Sequence, residues 1–212
     1  MDALRKEQVE SSIESSEWDL GNKILYDMCS QYPSHNNSAE IIAKVWLIGR
    51  SYAAAIERRR NNESGEFNGD DFYIEKVAPE IIHSEIDGWL RSLEAIDGIS
   101  ESTLEVILSV HFNVTELFSK ISGLEKRSLA SKYLHFHYPE LFFIYDSRAV
   151  TAVSYLSDLT GRVGQSKYNA DNEYRKFCEK CLKIRKYVKD NFKIYLTARQ
   201  LDNLLLEVEA IA

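Results

Sequence analysis

Apolar residues recur at three- and four-residue steps along most of the chain, the spacing that places them on one side of an α-helix. The clearest run is Ser38 to Arg60, where Ile41, Ile42, Val45, Trp46, Ile48, Tyr52 and Ile56 predict a helix central to the core. Two weaker amphipathic helices are expected upstream, over Leu4 to Trp18 and Asn22 to Tyr32, parted at Gly21 and closed by Pro33. Asn61 to Asp70, NNESGEFNGD, has the composition of a surface loop. From Asp71 to Leu93 the period continues through Tyr73, Ile74, Val77, Ile81, Ile82, Ile86, Trp89 and Leu90. Pro79 lacks a backbone donor and should kink or split that helix.

Ser102 and Glu105 read as a capping box opening a strongly apolar helix through Leu104, Ile107, Leu108, Val114, Leu117, Phe118 and Ile121, which Gly123 ends. A second helix begins near Lys126, carries Leu129, Tyr133, Leu134 and His137 on one side, and stops before Pro139. So short a connection makes the two a tight hairpin. A brief extended run, Leu141 to Tyr145, is too apolar to lie outside the core and leads straight into Asp146. That aspartate occupies the N-cap position of a helix over 147–157, with Ala149, Val150, Val153 and Leu156 inward. A polar linker from Thr160 to Asn172 precedes a basic helix over 173–192, and Thr197 with Gln200 caps a last helix.

The pattern therefore predicts an all-α fold, a single compact helical domain spanning 1–212. Composition agrees: three Pro and nine Gly are too few for the turns of an all-β chain of 212 residues. No apolar stretch approaches the roughly 18 residues of a membrane span, and MDALRKEQVESS has no apolar region of the kind a secretion signal needs. A cytoplasmic location is expected, nucleoid-associated if the source is prokaryotic, with no membrane partner and a monomeric state. Cys29, Cys178 and Cys181 suggest buried packing, and neither a metal site nor a cofactor is expected. The net charge of -7 hides an asymmetry. Residues 120–199 carry 16 Lys+Arg against 8 Asp+Glu, a local basic surface suited to phosphates.

The stretch ISGLEKRSLASKYLHFHYPELFFIYDSRAVTAVSYL, residues 121–156, resembles the helix-hairpin-helix DNA glycosylases, most closely the oxoguanine-glycosylase-like branch. The parts shared, in order, are a glycine-bearing hairpin, a helix opening near a lysine, a proline loop, a short apolar run and an aspartate starting the next helix. The resemblance aligns Gly123 with a hairpin glycine, Lys126 with the nucleophilic lysine, and Asp146 with the aspartate. Lys132, farther along the same helix, is the alternative lysine. Leu124 and Glu125 stand where family hairpins carry further glycines, so the hairpin, within a catalytic-type segment over 101–157, is degenerate.

The resemblance implies DNA as partner and base excision, with or without strand cleavage at the abasic site, in repair or against foreign DNA. A hairpin between helices directs backbone N–H groups at a phosphate without reading sequence. A carboxylate fixed at a helix N-terminus can stabilise the positive charge that builds on the sugar as the glycosidic bond breaks. A neutral lysine amine can attack the sugar carbon instead. DNA-contacting candidates are Gly123, Arg127, Arg148, Lys176 and Lys183; Trp46, Arg50, Tyr52, His135 and Tyr145 are candidates for holding an extruded base. An Arg50–Glu57 ion pair, buried between apolar neighbours, is the plainer expectation for Arg50. Two other readings stay open: a non-catalytic nucleic-acid-binding hairpin protein, and a helical protein-interaction domain, which the overall acidity favours.

Overall fold

The computed structural model describes residues 4–58, 69–165 and 168–211, and every regular element in them is a helix. In chain order these are α1 (Lys6–Ser11), α2 (Asp19–Gln31), α3 (Ser38–Ser51), α4 (Gly69–Phe72), a π-helical turn (Tyr73–Val77), α5 (Ala78–Ile82), α6 (Ile86–Arg91), α7 (Leu104–Ser122), α8 (Arg127–His137), α9 (Ser147–Tyr155), α10 (Ser157–Thr160), α11 (Asn172–Phe192) and α12 (Ala198–Ile211). The expected loop over Asn61 to Asp70 lies mostly outside the described residues. None of the described helices is long and apolar enough to cross a membrane.

The centre of the fold is α8 rather than α3. It packs against α2, α3 and α7, and every residue from Leu129 to Phe136 is buried. Four of these are polar or carry a polar tip, so the centre of the molecule holds ionisable groups that must find partners. The hairpin of α7 and α8 turns at Gly123, whose φ of +71° lies in the left-handed region that favours glycine. The α7 cap departs from expectation: the N-cap is Thr103, whose Oγ1 accepts from the Ser100 amide, and no Ser102–Glu105 box forms. At α12 the Thr197–Gln200 box does form, each side chain accepting from the other residue's amide.

Three other departures have physical causes. The first is that α3 stops at Ser51, well short of Arg60: Ala53 takes a φ of +50° and the chain folds back until Ala55 rests on Gly49. Secondly, the π-turn ahead of Pro79 shifts the helical phase, keeping Tyr73 and Val77 inward and turning Ile74 out, at 59% exposed. Its wider i to i−5 bonding, seen in Ala78 N–H to Tyr73 O, accommodates the proline without a break. Lastly, Trp46 and Val150, expected inward, are exposed, because each follows a buried residue by one step and points about 100° away from it.

The apolar run from Leu141 to Tyr145 is extended and has no strand to pair with. Side chains take the place of a sheet. His135 Nδ1–H donates to Phe142 O at 2.8 Å, Tyr174 Oη–H to Phe143 O at 3.0 Å, and Ser131 Oγ accepts from the Tyr145 amide at 3.0 Å. Residues 141–144 are thereby buried with these backbone groups satisfied, and the run delivers Asp146 to the start of α9.

Candidate functional site

Asp146 is the N-cap of α9, with an extended backbone and Oδ1 accepting the Ala149 amide at 3.0 Å. Its other oxygen, Oδ2, lies 3.4 Å from Lys132 Nζ, reaching from α8. Exposure divides the pair: the Asp146 side chain is 27% exposed, that of Lys132 only 2%. The amine also donates to Ser128 Oγ at 3.0 Å and to the Tyr52 carbonyl at 3.3 Å, and lies above the Tyr52 ring. Burial lowers the Lys132 pKa, with Asp146 pulling the other way. The result is a carboxylate open to solvent, fixed by a helix N-terminus on one oxygen and by a buried cation on the other.

A second polar assembly borders this pair. Tyr52 Oη–H donates to Asn22 Oδ1 at 2.6 Å and accepts from Arg199 Nη1 at 3.0 Å, and the same nitrogen donates to Asp202 Oδ2 at 3.0 Å. Asp202 is buried, which raises its pKa to about 7; Arg199 and Lys132 lower it and Asp146 raises it. The assembly draws on α2, the residue ending α3, and α12. Sequence reading missed Asn22, Arg199 and Asp202. The one local signal was a carboxylate three residues before the inward Leu205, on the face of a helix that packs against α9.

The two candidate lysines have different surroundings. Lys126, the N-cap residue of α8, is buried and donates to the carbonyls of Arg58 (2.8 Å) and Ala55 (3.4 Å), which face it where the chain turns back after α3. Only Lys132 of the two is ion-paired with Asp146. The candidate DNA contacts are engaged inside the chain. Arg127 Nε donates to both oxygens of Asp171 and its Nη2 to Glu125; Arg148 pairs with Glu209, Lys176 with Glu173, and Lys183 Nζ donates to Thr160 O. Gly123 is exposed in the hairpin turn, with open space where a side chain would be. Among the described residues Arg162 and Lys180 make no ion pair, and they share a surface hollow with Lys176.

The base-holding candidates separate into groups. Tyr52 belongs to the site, beside Lys132, and meets the Phe136 ring edge-on. His135 is fully buried, accepting from Tyr26 Oη–H through Nε2 while Nδ1–H holds Phe142 O. Tyr145 packs against Phe177 and Tyr174 under the Arg127 guanidinium. Trp46 is exposed on α3 and touches no other ring among the described residues. Arg50 does pair with Glu57, at 2.5 Å, but its side chain is 57% exposed, so the pair sits at the surface and not in the core. Cys29, Cys178 and Cys181 are buried free thiols. Among the described residues no cluster of His, Cys, Asp and Glu is arranged to hold a metal ion.

No family model, curated protein or solved structure gives a significant match to this chain. The functional reading therefore rests on the site's geometry and on the motif order of residues 121–156.

Proposed function

We propose that the chain is a DNA glycosylase that removes a damaged or modified base hydrolytically, with Asp146 as the catalytic anion. The observation that carries this is the division of exposure at the ion pair. Asp146 faces solvent in a fixed position, while Lys132 is sealed behind it with three oxygens around its amine. Such a carboxylate is suited to the positive charge that develops on the sugar as the C1′–N bond breaks, its electron pair leaving with the base while a water oxygen adds to C1′. Lys132 is a positioning residue in this reading, because an amine 2% exposed does not reach a sugar. The product is an intact strand with an abasic site.

The test is to incubate the protein with duplexes carrying oxidised, deaminated, alkylated or hypermodified bases and to treat half of each sample with alkali. Strand breaks are expected only after alkali, with no adduct trapped by borohydride. Asp146→Asn should abolish abasic-site formation while changing duplex affinity less than about twofold. Asn caps a helix as well as Asp does, so the variant keeps α9 in place. Excision unaffected by Asp146→Asn, or absent from every duplex, would sink the proposal.

A helical interaction domain is the second reading, favoured by the exposed apolar residues at the start of α2: Trp18 at 77%, Leu20 at 71% and Ile24 at 56%. It predicts no salt-sensitive binding to DNA at all.

A further inference from the structure

Three polar atoms in the assembly beside Asp146 are buried and have no hydrogen-bond partner: Asn22 Nδ2, Arg199 Nε and Asp202 Oδ1. They are not scattered. Each belongs to a link of the one chain Asn22–Tyr52–Arg199–Asp202, whose remaining polar atoms bond one another at 2.6 to 3.0 Å. Two of the three are donors and one is an acceptor. Leaving all three unsatisfied is a cost that folded proteins avoid, so a set of this kind points to a group that arrives from outside. Beside them a hollow of about 450 Å³, bounded by the Tyr26 and Phe136 side chains, Pro139 and Arg199, is within the size range of small-molecule sites. Tyr26 and Phe136 lie 4.8 Å apart, and the Tyr52 ring adjoins Phe136 at 5.3 Å. The walls are aromatic and the far side is polar, the division of labour a flat heterocycle needs.

We propose that Asn22, Arg199 and Asp202 read the edge of a nucleobase that carries two acceptors and one N–H donor. The count selects. Uracil and thymine offer O2, O4 and N3–H; cytosine offers O2, N3 and the N4 amine. An 8-oxopurine presents the same complement on its other edge, as O6, O8 and N7–H. Adenine has a single acceptor beside its amine on either edge, and guanine has one acceptor and two donors on its pairing edge and two acceptors with no donor on the other. Unmodified purines therefore leave Asp202 Oδ1 or one of the donors unpaired in a buried place, which is disfavoured. The assignment rests on the base-excision reading for its biological meaning, but the recognition chemistry stands apart from it.

Two measurements on the full chain separate the questions. The first is saturation-transfer NMR with uridine, cytidine, 8-oxoguanosine, adenosine and guanosine. Binding of at least one of the first three is expected to be tighter than that of the last two by on the order of tenfold or more, the worth of one buried hydrogen bond. Which of the three leads distinguishes a pyrimidine edge from an oxidised-purine edge. Asp202→Asn and Asn22→Leu should each bring that nucleoside down to the level of adenosine and guanosine. The second is abasic-site formation in duplexes carrying the same five bases. Nucleoside discrimination without excision overturns the glycosylase reading and supports this one. Equal binding of all five nucleosides, binding of none at millimolar concentration, or an unchanged ranking in both variants overturns this one, the three atoms then holding water only. These last results leave excision to be judged by its own assay.

Discussion

At neutral pH the carboxyl of Asp202 is caught between burial, which opposes its charge, and Arg199, which favours it. Burial prevails and raises the pKa from 3.8 to about 7. An acid held above its ordinary value contributes stability that is fully present below about pH 4 and is lost as the pH rises through about 7. Asn is the same size, keeps an oxygen for Arg199 and never ionises. Asp202→Asn should therefore raise the unfolding free energy at pH 8 by an amount bounded at about 4 kcal/mol, with the advantage vanishing towards pH 4. Thermal unfolding followed by circular dichroism at the two pH values tests this, and a variant less stable than the parent at pH 8 would contradict it. Gain of stability together with loss of base discrimination is what a residue retained for binding shows. Retention for folding has the opposite signature. Gly123 makes a smaller claim: its left-handed φ with open space around it predicts that Gly123→Ala costs about 1–2 kcal/mol of backbone strain and nothing in packing. Urea unfolding of that variant checks the magnitude.

Among the elements, the extended run before α9 depends on neighbours for bonds that a sheet would otherwise supply. Ser131→Ala removes the acceptor of the Tyr145 amide and should destabilise the fold by about 1–3 kcal/mol. Amide hydrogen exchange should quicken most at Tyr145 and less in α7, and equal quickening everywhere would mean that the serine has no special hold on the run. Several features of this region could be read from sequence. Helical period, the glycine at the hairpin turn and an aspartate before Ser-Arg-Ala are local signals, and α7, α8 and the α9 cap lie close to where they point. What was hidden is set by contacts distant in the chain. Nothing in the Ala53–Ala54–Ala55 stretch warns that α3 ends there; good helix formers are overruled by the packing of Ala55 on Gly49 and by Lys126 and Lys132 meeting the carbonyls that the turn leaves free. Arg127 and Arg148 look available to phosphate until Asp171 and Glu209 arrive from 44 and 61 residues away. Asn22, Tyr52, Arg199 and Asp202 meet only in the folded chain, so no spacing announces them.

Across the whole molecule, the same burial that places ionisable groups around α8 sets the response to acid. His35, His111, His135 and His137 are all lowered, chiefly by desolvation: His35 and His135 to about 4, His111 to about 3, and His137 well below its ordinary 6.5. His35 shows how strong that effect is, since Asp87 Oδ1 lies 2.5 Å from its Nδ1, yet burial and the nearby Lys44 ammonium outweigh the carboxylate. Its ring is neutral, donating through Nδ1 and accepting from Tyr133 Oη–H through Nε2. A base held below its ordinary pKa contributes stability present above about pH 6.5 and lost as the pH falls through the folded value. Near pH 5.5, unfolding lets four histidines each take up nearly a full proton, while Asp202, protonated in the fold and ionised outside it, gives one back. The balance is an uptake of about three protons, which corresponds to a fall of roughly 4 kcal/mol per pH unit. Urea unfolding at several pH values between 5 and 6.5 should show that slope, and calorimetry in buffers of different ionisation enthalpy should count the protons directly. Stability that stays level over this interval would mean that the rings already carry charge in the fold, and the neutral hydrogen bonds of His35 and His135 would have to be redrawn. If the slope is found, this protein's working range lies above about pH 6, where the α8 hydrogen bonds that support Asp146 are complete.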